Sequence, residues 1–192
     1  MRQPLEDGEV TVARAGGTLH MSARFQLVCA MNPCRCGWRG HPSGKCTCSA
    51  RDVERYVEKI SGPLLDRMDL HVNVPSVEYE AMRRKRAPEP SAEVKARVDA
   101  ARALQAKRFA GTDVACNAGM PASMVAEYCR LDAAGEALMK NAFARMSLSA
   151  RSHDRILRVA RTIADLAGCE QPTDAHLFEA IQFRQFETQL RG

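Results

Sequence analysis

The chain has 192 residues, 45% of them hydrophobic and 27% charged, and a net charge of +5. This is the composition of a folded globular protein, long enough for one ordinary domain or for a small domain plus part of another. No apolar run reaches the roughly 18 residues of a membrane-spanning helix. The opening MRQPLEDGEV carries no secretory signal, so a cytoplasmic location and no membrane partner are expected. In a reducing compartment the eight cysteines stay as thiols, and clustered ones bind metal more often than they form disulfides.

In chain order, residues 9–21 read as a β-hairpin, because Val10 and Val12 alternate with polar residues, Ala15-Gly16-Gly17 turns, and Leu19 and Met21 alternate again. Residues 25–31 are nearly all apolar and predict a strand buried on both faces of a sheet. A Cys- and Gly-rich loop runs from Asn32 to Ser49, followed by a helix over 51–60 and a strand at Leu70, Val72 and Val74. The charged, proline-containing stretch 79–91 is a linker between a first part, 1–78, and a helical part, 92–192. In the helical part, Ser91 caps a helix with Val94, Val98 and Ala101 on one stripe, and Pro121 opens a short one. Residues 133–146 form a third. Ser149 caps a fourth, which carries Ile156, Val159 and Ile163 on one face and stops at Gly168. Thr173 caps a fifth, through Leu177, Ile181 and Phe186.

Two close pairs, Cys34-x-Cys36 and Cys46-x-Cys48, can converge on one tetrahedral ion; thiolates suit zinc, and the loop has too little apolar content to order itself. Without a metal they would be four reduced thiols in a flexible loop. His41 lies between the pairs, either as a replacement ligand or as a solvated loop residue. Cys29, Cys116, Cys129 and Cys169 are isolated and read as small buried residues. Gly40-x-x-x-Gly44-Lys45-Cys46 is not a phosphate-binding loop: three residues separate the glycines where four are needed, and a cysteine replaces the magnesium-binding hydroxyl. Asn32 ends the apolar run, where an amide can orient a water or phosphate; from spacing alone it reads as the turn residue before Pro33. Arg67 stands between Asp66 and Asp69, as a local ion pair or as an arginine presented to a neighbour's phosphate. Arg151 opposes the dipole of the helix that Ser149 caps, a local conflict that fits an anion site or a solvated arginine.

Taken in order, RQPLEDGEVTVARAGGTLHMSARFQLVCAMNPCRCG, ISGPLLDRMDLHVNVP and LSARSHDRILRVARTIADLAG resemble the ComM/YifB-type Mg-chelatase-like proteins, a branch of the AAA+ ATPases. The resemblance covers almost the whole chain outside the linker. It implies an α/β fold: part of an AAA+ core, with the hairpin and a few strands of an incomplete sheet, followed by an α-helical lid bundle. It implies that Asn32 is the sensor that positions the attacking water, Arg67 the arginine finger acting in trans, and Arg151 the second sensor on the lid. It places Arg14 near the tip of a pore hairpin, against DNA phosphate, and the four cysteines in a Cys-rich insertion.

The resemblance implies sister subunits in a hexameric ring and DNA as partners, with the ATP-driven DNA helicase activity of the ComM type in natural transformation. The family's phosphate-binding loop and acidic magnesium motif are missing from these residues. The expectation is therefore a C-terminal portion, from a truncated gene, a split protein or an excised piece. It would be inactive alone and would use ATP and magnesium only beside a subunit that bears the loop. Two alternatives stand beside this one: a zinc-stabilised DNA-binding module, and a subunit of a chelatase complex.

Overall fold

The computed structural model describes residues 2–60, 62–77, 79, 88–146 and 148–184. The chain divides into two compact units, one up to Met68 and one from Asp69 onward.

In the first unit, a short helix α1 (Arg2–Asp7) leads through Gly8, whose φ of 67° lies in the left-handed region, into a two-stranded antiparallel ribbon. Strands β1 (Glu9–Arg14) and β2 (Gly17–Ser22) pair Val10 with Met21 and Val12 with Leu19, so these four apolar side chains share one face. The predicted hairpin is present. The other two predicted strands are not: among the described residues the ribbon is the whole sheet. Residues 23–31 and 70–77 run without regular structure, and Phe25, Val28, Leu70, Val72 and Val74 are all exposed, Val28 and Val74 at 82%. The alternation suits a pleated strand, but a strand also needs a ladder of partners for its N–H and C=O groups; His71 N donates to Phe183 O at 2.9 Å and Ala23 N to Gly8 O at 2.7 Å, and among the described residues no paired strand runs beside either segment. Helix α2 (Ala50–Glu58) starts in a capping box: Ser49 Oγ accepts from Asp52 N at 3.2 Å, and Asp52 Oδ2 accepts from Ser49 N at 3.2 Å. It buries Val53 and Val57, and the one-turn helix α3 (Gly62–Leu65) buries Leu65.

The second unit is helical: α4 (Ser91–Arg108), a 3₁₀ turn (Asn117–Gly119), α5 (Ala122–Tyr128), α6 (Ala133–Met146), α7 (Ala150–Leu166) and α8 (Asp174–Gln182). Helix α7 is the hub, packed against α4, α5, α8 and the 3₁₀ turn. Its ends follow the expected chemistry. Ser149 caps it by accepting from Ser152 N, and a Schellman motif closes it. Gly168 sits at φ 70°, Cys169 N donates to Ala164 O at 2.8 Å, and Gly168 N donates to Asp165 O at 3.1 Å. Ile156, Leu157 and Ala160 of α7 meet Met139, Val125, Phe109, Leu177 and Ile181 in one core.

Helix α4 departs from expectation at its start. Pro90, not Ser91, is the N-cap and makes no side-chain bond there. Val94 and Val98 stay 37% and 44% exposed, while Ala101 and Gln105 are the buried positions. Only the C-terminal half of this helix reaches the core. Phe186 and most of the 79–91 linker lie outside the described residues.

Candidate metal centre

The loop from Asn32 to Ser49 is shaped by its glycines. Gly37, Gly40 and Gly44 have φ values of 82°, 78° and 64°, which only glycine adopts without strain. Tight turns at Gly37 N to Cys34 O (3.0 Å) and Gly44 N to His41 O (3.2 Å) fold it back on itself. The folding brings Cys34, Cys36, Cys46 and Cys48 together, with all four sulfur atoms within 4.8 Å of one another. Cys34 Sγ lies 3.3 Å from Cys36 Sγ and 3.8 Å from Cys46 Sγ, and Cys36 to Cys46 is 3.6 Å. A tetrahedral ion with metal–sulfur bonds of about 2.3 Å sets its sulfurs about 3.8 Å apart, so four ligands at these separations could bind one metal ion. Cys34 is fully buried and the other three are half-buried.

The electrostatics of the cluster suit a bound cation. The backbone N–H of Trp38 and the Cys34 thiol together pull Cys36 down to about 6. Cys48 is pushed up to about 11: the Cys36 backbone works against the rise, but hydrogen bonding to the Cys36 sulfur and burial outweigh it. One thiolate is solvated by its neighbours, and the next must form beside it. A bound dication removes that conflict and lets all four ionise. His41 is not a member of the cluster. Its Nδ1 is 2.7 Å from Ser43 Oγ, and its ring meets the edge of Trp38 at 4.9 Å between centroids. Of the isolated cysteines, Cys129 is buried as expected, with burial pushing its thiol to about 11. Cys116 and Cys169 are half-buried and Cys29 is exposed, so the small-core reading does not hold for Cys29.

The residues expected to sense a nucleotide are differently placed. Asn32 is exposed, with its amide facing the Cα of Gly37, where an added Cβ would sit 3.7 Å from Nδ2. Arg67 ion-pairs with Glu6 of α1 and donates to Pro63 O, leaving its side chain 8% exposed. Arg151 is exposed at the second position of α7, and Arg14 is exposed at the end of β1.

The sequence reading missed a buried polar network in the second unit. Asp165 has no exposed side-chain surface. It takes Arg108 Nη1 at 2.8 Å on Oδ2, Asn117 Nδ2 at 2.8 Å on Oδ2, and Arg161 Nη2 at 2.9 Å on Oδ1. Arg161, itself 1% exposed, also donates to the carbonyls of Glu170 (2.7 Å) and Cys169 (2.6 Å). Burial tends to raise the Asp165 carboxyl, but donation from Arg108 and Asn117 and the charge of Arg161 outweigh it and hold it below the usual range. A signal was available: Leu157, Arg161 and Asp165 are spaced by four, so two charges stand on a stripe that begins apolar.

The comparisons with known proteins agree along the chain. Residues 1–82 match the family model described as magnesium chelatase, subunit ChlI, and residues 88–184 match that of its C-terminal part. Competence protein ComM of Haemophilus influenzae is 38% identical over 96% of this chain. An uncharacterised protein of Mycobacterium tuberculosis is 39% identical over 96%, and YifB of Escherichia coli 35% over 99%. The chain spans 35%, 36% and 37% of these relatives' lengths, about a third. Both parts match the same family in the family's own order, and the chain belongs to the Mg-chelatase family, with ComM and YifB among its relatives.

Proposed function

We propose that the chain is a portion of a Mg-chelatase-like AAA+ ATPase, a DNA helicase that remodels DNA at the expense of ATP. The observation that carries this is the ordered match of both parts to one family, 1–82 and then 88–184. Phosphoryl transfer from ATP needs a backbone cradle for the phosphates and a held magnesium ion. The 192 residues contain no G-x-x-x-x-G-K-S/T run, so that grip comes from another stretch of polypeptide. What these residues supply is the sensing side. Asn32 orients the attacking water. Arg151, in the first turn of α7, reads the nucleotide from the lid. Arg67 stabilises developing charge on a neighbouring subunit's γ-phosphate, exchanging the Glu6 carboxylate for a phosphate oxygen. Arg14 at the ribbon's end meets DNA phosphate.

The test is reconstitution. The pure chain should hydrolyse no ATP, and a family member bearing the phosphate loop should gain ATPase activity when the chain is added. Arg67→Ala should remove that gain, by about a thousandfold or more if the residue works as other arginine fingers do. Addition and substitution that both leave the rate unchanged would end this reading.

A second element is a structural metal. Four sulfurs in a closed set, with no position left for substrate, suit zinc that orders the loop rather than zinc that catalyses. One zinc per chain is expected by native mass spectrometry, lost on Cys34→Ser with Cys36→Ser.

A further inference from the structure

The charge of this protein is not spread evenly. From Val10 to Arg51 there is no Asp or Glu, and there are six cations: Arg14, Arg24, Arg35, Arg39, Lys45 and Arg51. The rest of the chain then carries 22 of the 28 Lys and Arg against all 23 acids, so the whole positive excess of the molecule sits in this segment. Four metal-bound thiolates would take part of it back, and the remainder is still positive.

Three of these cations, Arg35, Arg39 and Lys45, lie within and between the two cysteine pairs, and among them stands Trp38, the chain's single tryptophan, 41% exposed. One exposed ring on a loop needs no explanation by itself, but this one is organised. Lys45 Nζ lies 5.2 Å from the ring centroid, and the His41 ring meets it nearly perpendicularly, at 81°. Arg35, Arg39 and Lys45 are all exposed on the same loop. The turns at Gly37 and Gly44 and the sulfur cluster shape the backbone of the platform, so less backbone freedom remains to be lost on binding.

We infer that Trp38, with Arg35, Arg39 and Lys45, forms a binding site for single-stranded nucleic acid, in which an unpaired base stacks on the indole and the three cations take the flanking phosphates. The chemistry selects this partner over an acidic protein. Cations alone would serve either, but a solvated aromatic face ringed by cations is what a base followed by a phosphate fits. A duplex keeps its bases stacked on each other and offers the ring nothing. The site uses none of the residues assigned to nucleotide sensing, nor Arg14, and it holds whether or not the ATPase reading does.

Because Trp38 is the only tryptophan, its fluorescence reports on this site alone. The metal-loaded chain, without nucleotide or partner subunit, is titrated with oligothymidylate and oligouridylate of about 12 nucleotides. Quenching is expected, with a log affinity against log salt slope of about −2 for three phosphates on a single strand. The tighter of the two strands names the source as DNA or RNA. In anisotropy measurements with a labelled strand, Trp38→Ala should weaken binding about ten- to a hundredfold, and Trp38→Phe should restore most of it. Arg39→Glu with Lys45→Glu keeps the reporter and should abolish the quench, and it carries the test if Trp38→Ala loses its metal. Unquenched fluorescence, equal binding of a duplex or of polyglutamate, or a charge-reversed double variant that binds like the parent would each overturn the inference. The assay contains no ATP, so its failure leaves the reconstitution test standing, and the reverse also holds.

Discussion

The two units hold themselves together by different means. Among the described residues, the unit up to Met68 buries only Cys34, Val53, Val57 and Leu65 of its apolar side chains, and its longest loop is gathered around sulfur. The unit from Asp69 buries a continuous core around Ile156, Leu157, Leu177 and Ile181, and adds a carboxylate clamped by two arginines. One has a small apolar core and four sulfurs that could hold a metal ion, the other rests on area removed from water and on hydrogen bonds within it. Removing the metal and removing core atoms should therefore damage different halves.

The largest effect should come from the metal. Chelation, or Cys34→Ser with Cys36→Ser, should release the order of the loop, since structural zinc supplies about 10–16 kcal/mol in small zinc-held folds. Amide exchange should quicken through residues 34–48 and stay slow in α7. Equal protection of both regions after chelation would break the contrast.

Next is Asp165→Asn, which leaves Arg108 and Arg161 buried beside a neutral amide. Urea unfolding of the helical unit should lose about 3–5 kcal/mol. The pH dependence follows from the same carboxyl. Its folded value is depressed, so its contribution is present above the ordinary carboxylate range, near 3.9, and disappears as pH falls through the folded value. The parent should lose stability on acidification more steeply than the Asn variant, and parallel curves would remove Asp165 from that role.

Leu177→Ala, at a fully buried position, should cost about 2–5 kcal/mol in the same titration and leave metal content untouched. The smallest effect is at the α7 cap. Ser149→Ala loses the bond to Ser152 N and should cost about 1 kcal/mol, visible as a shift of a few degrees in thermal melting.

What could be read from the sequence was whatever depends on near neighbours. The hairpin, the caps at Ser149 and Thr173 and the stop at Gly168 are settled within a few residues, and each is found. The convergence of two Cys-x-Cys pairs belongs here too, because glycines at fixed places turn the loop. What failed depends on distant partners. Residues 25–31 and 70–74 have the pattern of strands, but a pattern says only that a segment would fit a sheet. Val94 and Val98 mark a face of α4, but not how far the core extends along it. The Asp165 network joins residues 48 and 57 positions apart, beyond any local rule.

The pull on Cys36 reaches past stability. With its thiol near 6 it is mostly thiolate at neutral pH, and a second sulfur waits 3.3 Å away. Stripped of a coordinating ion, the loop becomes the molecule's most nucleophilic spot, open to peroxide and alkylating reagents ahead of Cys129, whose thiol is shielded and near 11. The rate at which iodoacetamide marks this chain is thus a gauge of whether the ion is in place, and a preparation kept in chelator without reductant would age from this loop outward.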